Sequence, residues 1–148
     1  MALAISSMEN MHPLAGVYDY SWVAATTRDT EPDCALIVDV GGAKGHTIEV
    51  SPAPKMVGVD FFDEQPAKGA LVYIIRRCLH DFSDEECFQI LNHLSDAMAR
   101  DSKLLVGETV LSNPPGRPTA MIDLLLSTIG GKERTIEGFN KVAERAGL

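Results

Sequence analysis

A short apolar run followed directly by a glycine-rich turn constrains the fold of this chain more than any other feature. Residues 35–40 read Ala-Leu-Ile-Val-Asp-Val, and residues 41–45 read Gly-Gly-Ala-Lys-Gly. An apolar, β-branched run bounded by glycines is typical of a buried strand in a parallel sheet. Because glycines let the backbone pass close to a ligand, the turn also indicates a site for a carboxylate or phosphate group.

The rest of the chain predicts an α/β fold. Further strands are predicted at residues 55–60, 70–76 and 103–108. Helices are predicted around 18–25 and 43–50, after Ser83, over 119–129 and after Thr135. Right-handed crossovers between such elements make the sheet parallel. We expect about four parallel strands, with helices on both faces and the strand order 55–60, 36–40, 70–76, 103–108.

The same pattern predicts where helices begin and which faces they bury. Ser83 and Glu86 form a capping box, in which each side chain can bond the backbone N–H of the other. The helix that follows places one apolar set on a single face, namely Cys87, Ile90, Leu91, Leu94 and Met98. Gly130-Gly131 is a predicted helix stop. The last helix is predicted to turn inward Ile136, Phe139, Val142 and Ala143.

Charge and composition argue against several classes of function. The formal net charge is −8, and an acidic chain repels the phosphate backbone of nucleic acids. No apolar run approaches the ~20 residues that span a bilayer, and the N-terminus lacks the basic segment of a secretory signal. The three cysteines form no C-x-x-C pair, which argues against a disulfide framework or structural zinc. We therefore expect a cytoplasmic protein without nucleic-acid or membrane partners.

The spacing within the glycine turn discriminates between nucleotide cofactors. A dinucleotide site reads G-x-G-x-x-G and has an acidic residue at the end of the next strand. This chain instead has G-G-x-x-G preceded by Asp39. The spacing disfavours a nicotinamide-dependent dehydrogenase, and the arrangement resembles motif I of the S-adenosylmethionine-dependent methyltransferases.

A more specific resemblance lies downstream. Residues 79–86, Leu-His-Asp-Phe-Ser-Asp-Glu-Glu, resemble the L-H-D-W-S-D-E signature of plant and fungal small-molecule O-methyltransferases of the caffeate and flavonoid type. Four other segments resemble parts of the same family. Residues 18–22 resemble the segment before motif I, and residues 60–70 resemble the fungal form D-F-F-x-x-Q-P-x-K-G-A. Residues 103–108 resemble the fifth strand, and residues 130–135 resemble the segment G-G-K-E-R-T. The matches run in order over most of residues 18–148.

The resemblance implies a Rossmann-like methyltransferase fold that methylates a hydroxyl, of phenolic type, on a small secondary metabolite. It implies S-adenosyl-L-methionine as the cofactor, and the implied reaction requires no metal. The residues that it assigns to cofactor binding are Asp39, Gly41, Gly42, Gly45, Asp60, Phe61 and Arg76.

The same resemblance assigns catalysis to His80, Glu108 and Glu133. A phenol has a pKa of about 10 and must lose its proton as it attacks, and an imidazole suits that general-base role at neutral pH. Glu108 and Glu133 match two family glutamates that orient the imidazole and stabilise its charged form. The alternatives are a local hydrogen-bonding role for His80, a solvated strand end at Glu108 and a helix-entry charge at Glu133.

The chain also departs from the family. The resemblance implies an N-terminal helical domain that swaps into a dimer and lines the substrate pocket, and we expect the given sequence to hold almost none of it. It also implies a stretch after motif I with a ribose-binding acid, to which we find no match. We expect residues 1–32 to form an arm leading into an incomplete methyltransferase domain at 33–148. Exposed apolar surface should then favour a homodimer or a partner protein. The alternative to an active enzyme is a methyltransferase-like protein without turnover, acting as a binding or partner subunit or as a non-methylating auxiliary in a biosynthetic pathway.

Overall fold

A parallel β-sheet forms the centre of the structure, a computed structural model that describes residues 2–7, 18–25, 36–41 and 61–148. Within these residues the strands are β1 (Ala2–Ser7), β2 (Ile37–Val40), β3 (Val72–Arg76) and β4 (Lys103–Glu108). They lie in the order β1-β4-β3-β2, and every neighbouring pair is parallel. The predicted α/β fold and the adjacency of strands 36–40, 70–76 and 103–108 are confirmed.

The register of the strands brings their carboxyl ends together. Val40 of β2 lies opposite Ile75 of β3, and Arg76 of β3 lies opposite Gly107 of β4. The residues that follow β2 and β3 and the last residue of β4 therefore share one edge of the sheet. In open α/β sheets this edge is where ligands bind.

The fourth strand differs from the expected one. Ala2–Ser7, which the sequence analysis placed in an arm, pairs with all six residues of β4 at the edge away from β2. The physical reason is that the outer edge of β4 presents a row of backbone N–H and C=O groups, and a short extended segment can pair with them. The predicted strand at 55–60 and the predicted helix at 43–50 lie outside the described residues.

Each helix in the described ranges begins within three residues of its predicted start. They are α1 (Ser21–Ala25), α2 (Asp84–Ala97), α3 (Arg117–Ser127) and α4 (Ile136–Arg145), with a 3₁₀ turn at Leu79–Asp81. The capping box of α2 is present, because Glu86 N–H donates to Ser83 Oγ (3.3 Å) and Ser83 N–H donates to Glu86 Oε2 (2.9 Å). Thr135 caps α4 by accepting the Gly138 N–H.

The sheet buries apolar side chains on both of its faces. One face packs against α2 and α4, and the predicted stripe of α2 is buried there apart from the half-buried Met98. The prediction for Ile136 is wrong: this residue is exposed, because the buried stripe of α4 begins one turn later, at Phe139. The opposite face carries a smaller cluster that includes Val23 of α1, with Tyr20 and Trp22 packed against it.

Helix α3 is the element with the least burial. None of its residues is buried, and the exposed fractions of Met121, Leu124, Leu125 and the following Ile129 lie between 65% and 70%. Only Thr119, Asp123 and Leu126 are half-buried, and their spacing marks the side of α3 that faces the protein. None of the helices in the described ranges is long and apolar enough to cross a bilayer.

Candidate active site

The glycine turn closes against an aromatic ring at the carboxyl end of β2. Gly41 has φ +76°, a conformation that side chains disfavour. A Cβ on Gly41 would lie 3.1 Å from the Phe61 ring and 3.7 Å from Cys78 Sγ. The turn is therefore in contact with the segment that carries His80, and only glycine fits there without displacing the ring.

Three phenylalanines cluster beside this turn. The Phe61, Phe62 and Phe82 ring centroids are 5.3–5.8 Å apart, in edge-to-face or tilted pairs. Phe61 and Phe82 are half-buried, while Phe62 is exposed. The cluster joins the glycine turn to the residue that follows the 3₁₀ turn, and it forms an aromatic wall at this edge of the sheet.

The other residues assigned to cofactor binding divide into two groups. Asp39 lies in β2 and Arg76 ends β3, and both are half-buried near the carboxyl edge. Gly42, Gly45 and Asp60 lie outside the described residues, so their assignments stay predictions.

A left-handed residue aims two backbone donors at Glu108. Arg77 has φ +48°, and its N–H donates to Gly107 O at 3.0 Å. The chain then reverses so that the N–H groups of Cys78 and Leu79 both donate to Glu108 Oε1, at 2.7 and 2.8 Å. Paired N–H donors of this kind favour the ionised carboxylate.

The His80 imidazole lies beside both predicted glutamates. Its Nδ1 is 3.4 Å from Glu108 Oε2 and 3.7 Å from Glu133 Oε1, and its side chain is 12% exposed. Nδ1 makes no hydrogen bond to either carboxylate at these distances, so the attraction is electrostatic. Since both glutamates approach Nδ1, Nε2, which is 3.6 Å from Asp81 Oδ1, is the nitrogen placed to accept a proton from a substrate.

Both glutamates are buried, which excludes a solvated strand end at Glu108. Glu108 is 0% exposed and Glu133 is 5% exposed. Burial raises the pKa of Glu108, against the lowering effects of the Cys78 N–H and of His80. Burial also raises the pKa of Glu133. The charge of His80 opposes this rise, and the charges of Glu108 and Asp123 add to it.

Glu133 reaches His80 because residues 130–134 pack directly on the 3₁₀ turn; we call them the docking segment. A Cβ on Gly131 would clash with His80 O and come within 2.9 Å of the Asp81 carbonyl carbon. The Lys132 N–H donates to the same His80 carbonyl at 2.9 Å. Gly130, with φ +90°, ends α3 as predicted, whereas Gly131 is required for close backbone approach.

Arg134 fixes the docking segment from the other side, and the sequence analysis did not identify it. Its buried guanidinium donates to Leu79 O (2.8 Å) and Phe82 O (2.7 Å), and to Asp84 Oδ1 at the start of α2. Lys132 Nζ also pairs with Asp84, at 2.6 Å. From sequence alone, a charged residue before a helix is expected to be solvent-exposed. The only sequence signal that could have identified Arg134 was its place in the G-G-K-E-R-T segment.

Comparison with known proteins identifies the family of this chain. The pattern that defines the O-methyltransferase domain matches residues 33–148. The chain belongs to this family. In the described ranges, no group of three or more His, Cys, Asp or Glu residues is arranged to hold a metal ion.

Fungal members of the family match the whole chain. Methyltransferase fsa4 of Fusarium sp. (strain FN080326) is 39% identical over 179 residues, covering 100% of this chain and 48% of the relative. The chain thus spans about half the length of this relative. Because the match extends over 179 residues and the chain has 148, the relative also contains internal residues that this chain lacks.

Solved structures give the same fold. Mitomycin 7-O-methyltransferase MmcR is 28% identical, with a TM-score of 0.75 over 90% of this chain and 45% of the other. LepI, solved as a complex with SAM, has a TM-score of 0.79 at 23% identity, over 95% of this chain and 44% of the other. The second likeness concerns the fold alone.

Substituting Gly131 tests the docking of residues 130–134. We expect Gly131→Ala to lower the free energy of unfolding by about 2 kcal/mol, because the added Cβ clashes with backbone that cannot easily move. The displaced segment should also shift the NMR signals of the His80 ring. Gly130→Ala is the matched control: no atom lies within 4 Å of its Cβ position, so it adds backbone strain only. Equal His80 shifts in the two variants would contradict the docking.

The burial of Glu133 predicts a pH dependence of stability. Its folded-state pKa is raised from 4.5, so the folded state retains a proton that the unfolded state releases as pH rises above that value. Stability is then lost with rising pH until the raised pKa is passed. Glu133→Gln removes this loss, and its stability relative to wild type should increase as pH rises above 4.5 in denaturant titrations.

Glu86→Gln serves as the control with the opposite sign. Bonds from Ser83 lower the pKa of the exposed Glu86, so its stabilisation is present above the unfolded value and is lost as pH falls. The relative stability of Glu86→Gln should therefore decrease as pH rises. The same pH trend in both variants would show that Glu133 is not buried as described.

Proposed function

We propose that residues 33–148 form the methyl-transfer domain of an S-adenosylmethionine-dependent O-methyltransferase whose acceptor is a phenolic hydroxyl on a small secondary metabolite. The observation that carries the proposal is the position of His80, next to two buried glutamates at the sheet edge where the Gly41 turn lies. The family match over the same residues supports both the reaction and the domain boundary.

The residues present fit the cofactor that this reaction needs. Gly41 combines a positive φ with no space for a Cβ, which is the form of a turn that a ligand approaches closely. The rings of Phe61, Phe62 and Phe82 offer faces on which a purine can stack. Asp39 and Arg76 complete the proposed contacts. When bound, the cofactor supplies an electrophilic methyl group on a sulfonium.

The residues of this chain act on the acceptor. Nε2 of His80 takes the hydroxyl proton, which makes the oxygen nucleophilic at neutral pH. The imidazolium that results is stabilised by the carboxylate of Glu108, which the Cys78 and Leu79 N–H groups keep in place. Because these side chains are buried, water screens their attraction only weakly. Alignment of the acceptor with the methyl group supplies the rest of the rate enhancement.

Calorimetric titration with S-adenosylmethionine tests the cofactor site. We expect micromolar binding to the wild-type chain and none to Gly41→Val, because a branched side chain at φ +76° would strain the turn and displace Phe61. Gly116→Ala, which removes a glycine with no atom closer than 3.9 Å, should bind normally. Absence of heat at millimolar cofactor would refute the proposal.

His80→Gln separates binding from chemistry within the same test. Transfer of a radiolabelled methyl group to a panel of mono- and dihydroxy aromatic compounds should fall at least ~100-fold, since a general base contributes about 10²–10⁴. Cofactor affinity should change little. Transfer at the wild-type rate by the variant would exclude His80 as the base.

We further propose that a second copy of the chain covers the apolar surface of α3. Its support is the exposure of Met121, Leu124 and Leu125, since contiguous apolar surface commonly marks an interface. Light scattering should give the mass of two chains for wild type and of one chain for Leu124→Lys. Ile136→Lys, which changes an exposed apolar residue on α4, should stay dimeric. A monomeric wild type at micromolar concentration would overturn this proposal.

A further inference from the structure

We propose that Asp123 is a positioning residue for Glu133: its carboxylate accepts the Glu133 N–H and so holds the Glu133 side chain against His80, and its negative charge acts on the Glu133 carboxyl. The inference rests on the proposed function only in the role given to His80. It concerns a residue that neither the sequence pattern nor the family resemblance singled out.

Each residue of the docking segment after Gly130 has a separate anchor. Gly131 N–H donates to Leu126 O, Lys132 N–H donates to His80 O, and Arg134 O accepts the Leu111 N–H. Glu133 N–H donates to Asp123 Oδ1 at 2.8 Å. Among these main-chain groups, only that of Glu133 is bonded by a side chain, so a substitution can remove that anchor without altering the backbone.

The location of Asp123 is unusual for a carboxylate. It lies in the middle of the Thr119–Asp123–Leu126 stripe, the side of α3 that faces the protein, while the apolar residues of α3 are exposed. A carboxylate in the inward stripe of a helix is unfavourable unless it is hydrogen-bonded. Asp123 therefore links α3 to the residue beside the imidazole.

Glu133 experiences four charged groups from the elements around it. His80 in the 3₁₀ turn and Arg134 in its own segment favour the ionised form, whereas Glu108 at the end of β4 and Asp123 on α3 disfavour it. Two backbone N–H groups donate to Glu108 Oε1, whereas Oε2 of Glu108 and Oε2 of Glu133 are both buried with no hydrogen bond. The two acids are therefore unequal: burial raises the pKa of both, but only Glu108 has backbone donors that favour its ionised form.

Two substitutions separate the anchor from the charge. Asp123→Asn keeps an oxygen that can accept the Glu133 N–H but removes the charge, so the Glu133 Cδ titration followed by ¹³C NMR should move to lower pH. Asp123→Ala removes both, and hydrogen exchange of the Glu133 amide should become at least about tenfold faster. The titrating Cδ signal that is lost in Glu133→Gln is the signal of Glu133.

Asp96→Asn is the matched control. It makes the same chemical change on an exposed residue near the C-terminal end of α2, away from the 3₁₀ turn, and should leave both readouts unchanged. An unshifted Glu133 titration in Asp123→Asn overturns the role of the charge, and unchanged exchange in Asp123→Ala overturns the anchor. Should Asp123→Ala fail to fold, Asp123→Ser, which is too short to reach the same N–H, replaces it.

These measurements use the chain without cofactor or acceptor. A failure of cofactor binding would leave the exchange and titration results intact, and the converse holds as well. The positioning role and the proposed reaction therefore succeed or fail separately.

Discussion

The close backbone contact between the docking segment and the His80 turn is the constraint on which the site depends. Gly131 leaves no room for a Cβ against His80 and Asp81, and Arg134 bonds carbonyls on both sides of the turn. Because Glu133 lies between Gly131 and Arg134, its carboxyl is held beside the imidazole. The segment that holds it has no regular secondary structure. Side chains that pre-organise a catalytic group in this way spare the reaction the cost of ordering it.

Burial then determines how the three titratable groups share their charge. Two carboxylates removed from water repel each other and attract the imidazole between them. The backbone treats the two carboxylates differently. The turn at Arg77 directs two N–H groups at Glu108, whereas the described residues provide no such donors to the Glu133 carboxyl. The site thus combines two buried acids whose pKa values are both raised by burial, and only Glu108 has backbone N–H donors that favour its ionised form. This inequality follows from local backbone geometry rather than from residue type.

Much of this arrangement can be predicted from sequence, although not all of it. The apolar run before Gly41, the capping box at Ser83 and the H-D-F motif locate strands, a helix and the base, because each depends on local periodicity or spacing. Ala2–Ser7 could not be identified as a strand, since its pairing depends on the open edge of a strand about a hundred residues away. Arg134 was missed because its partners lie some fifty positions earlier in the chain.

The sequence by itself determined the α/β class, three of the described strands, and the family to which the motif spacing belongs. Only the tertiary structure decided which face of α3 is exposed, that Gly131 is required for close backbone packing as well as for helix termination, and that Asp123 bonds the backbone of Glu133. The physical reason is range. Propensity and periodicity act over a few neighbouring residues, whereas burial, charge pairing and close backbone approach depend on segments that meet only when the sheet has formed.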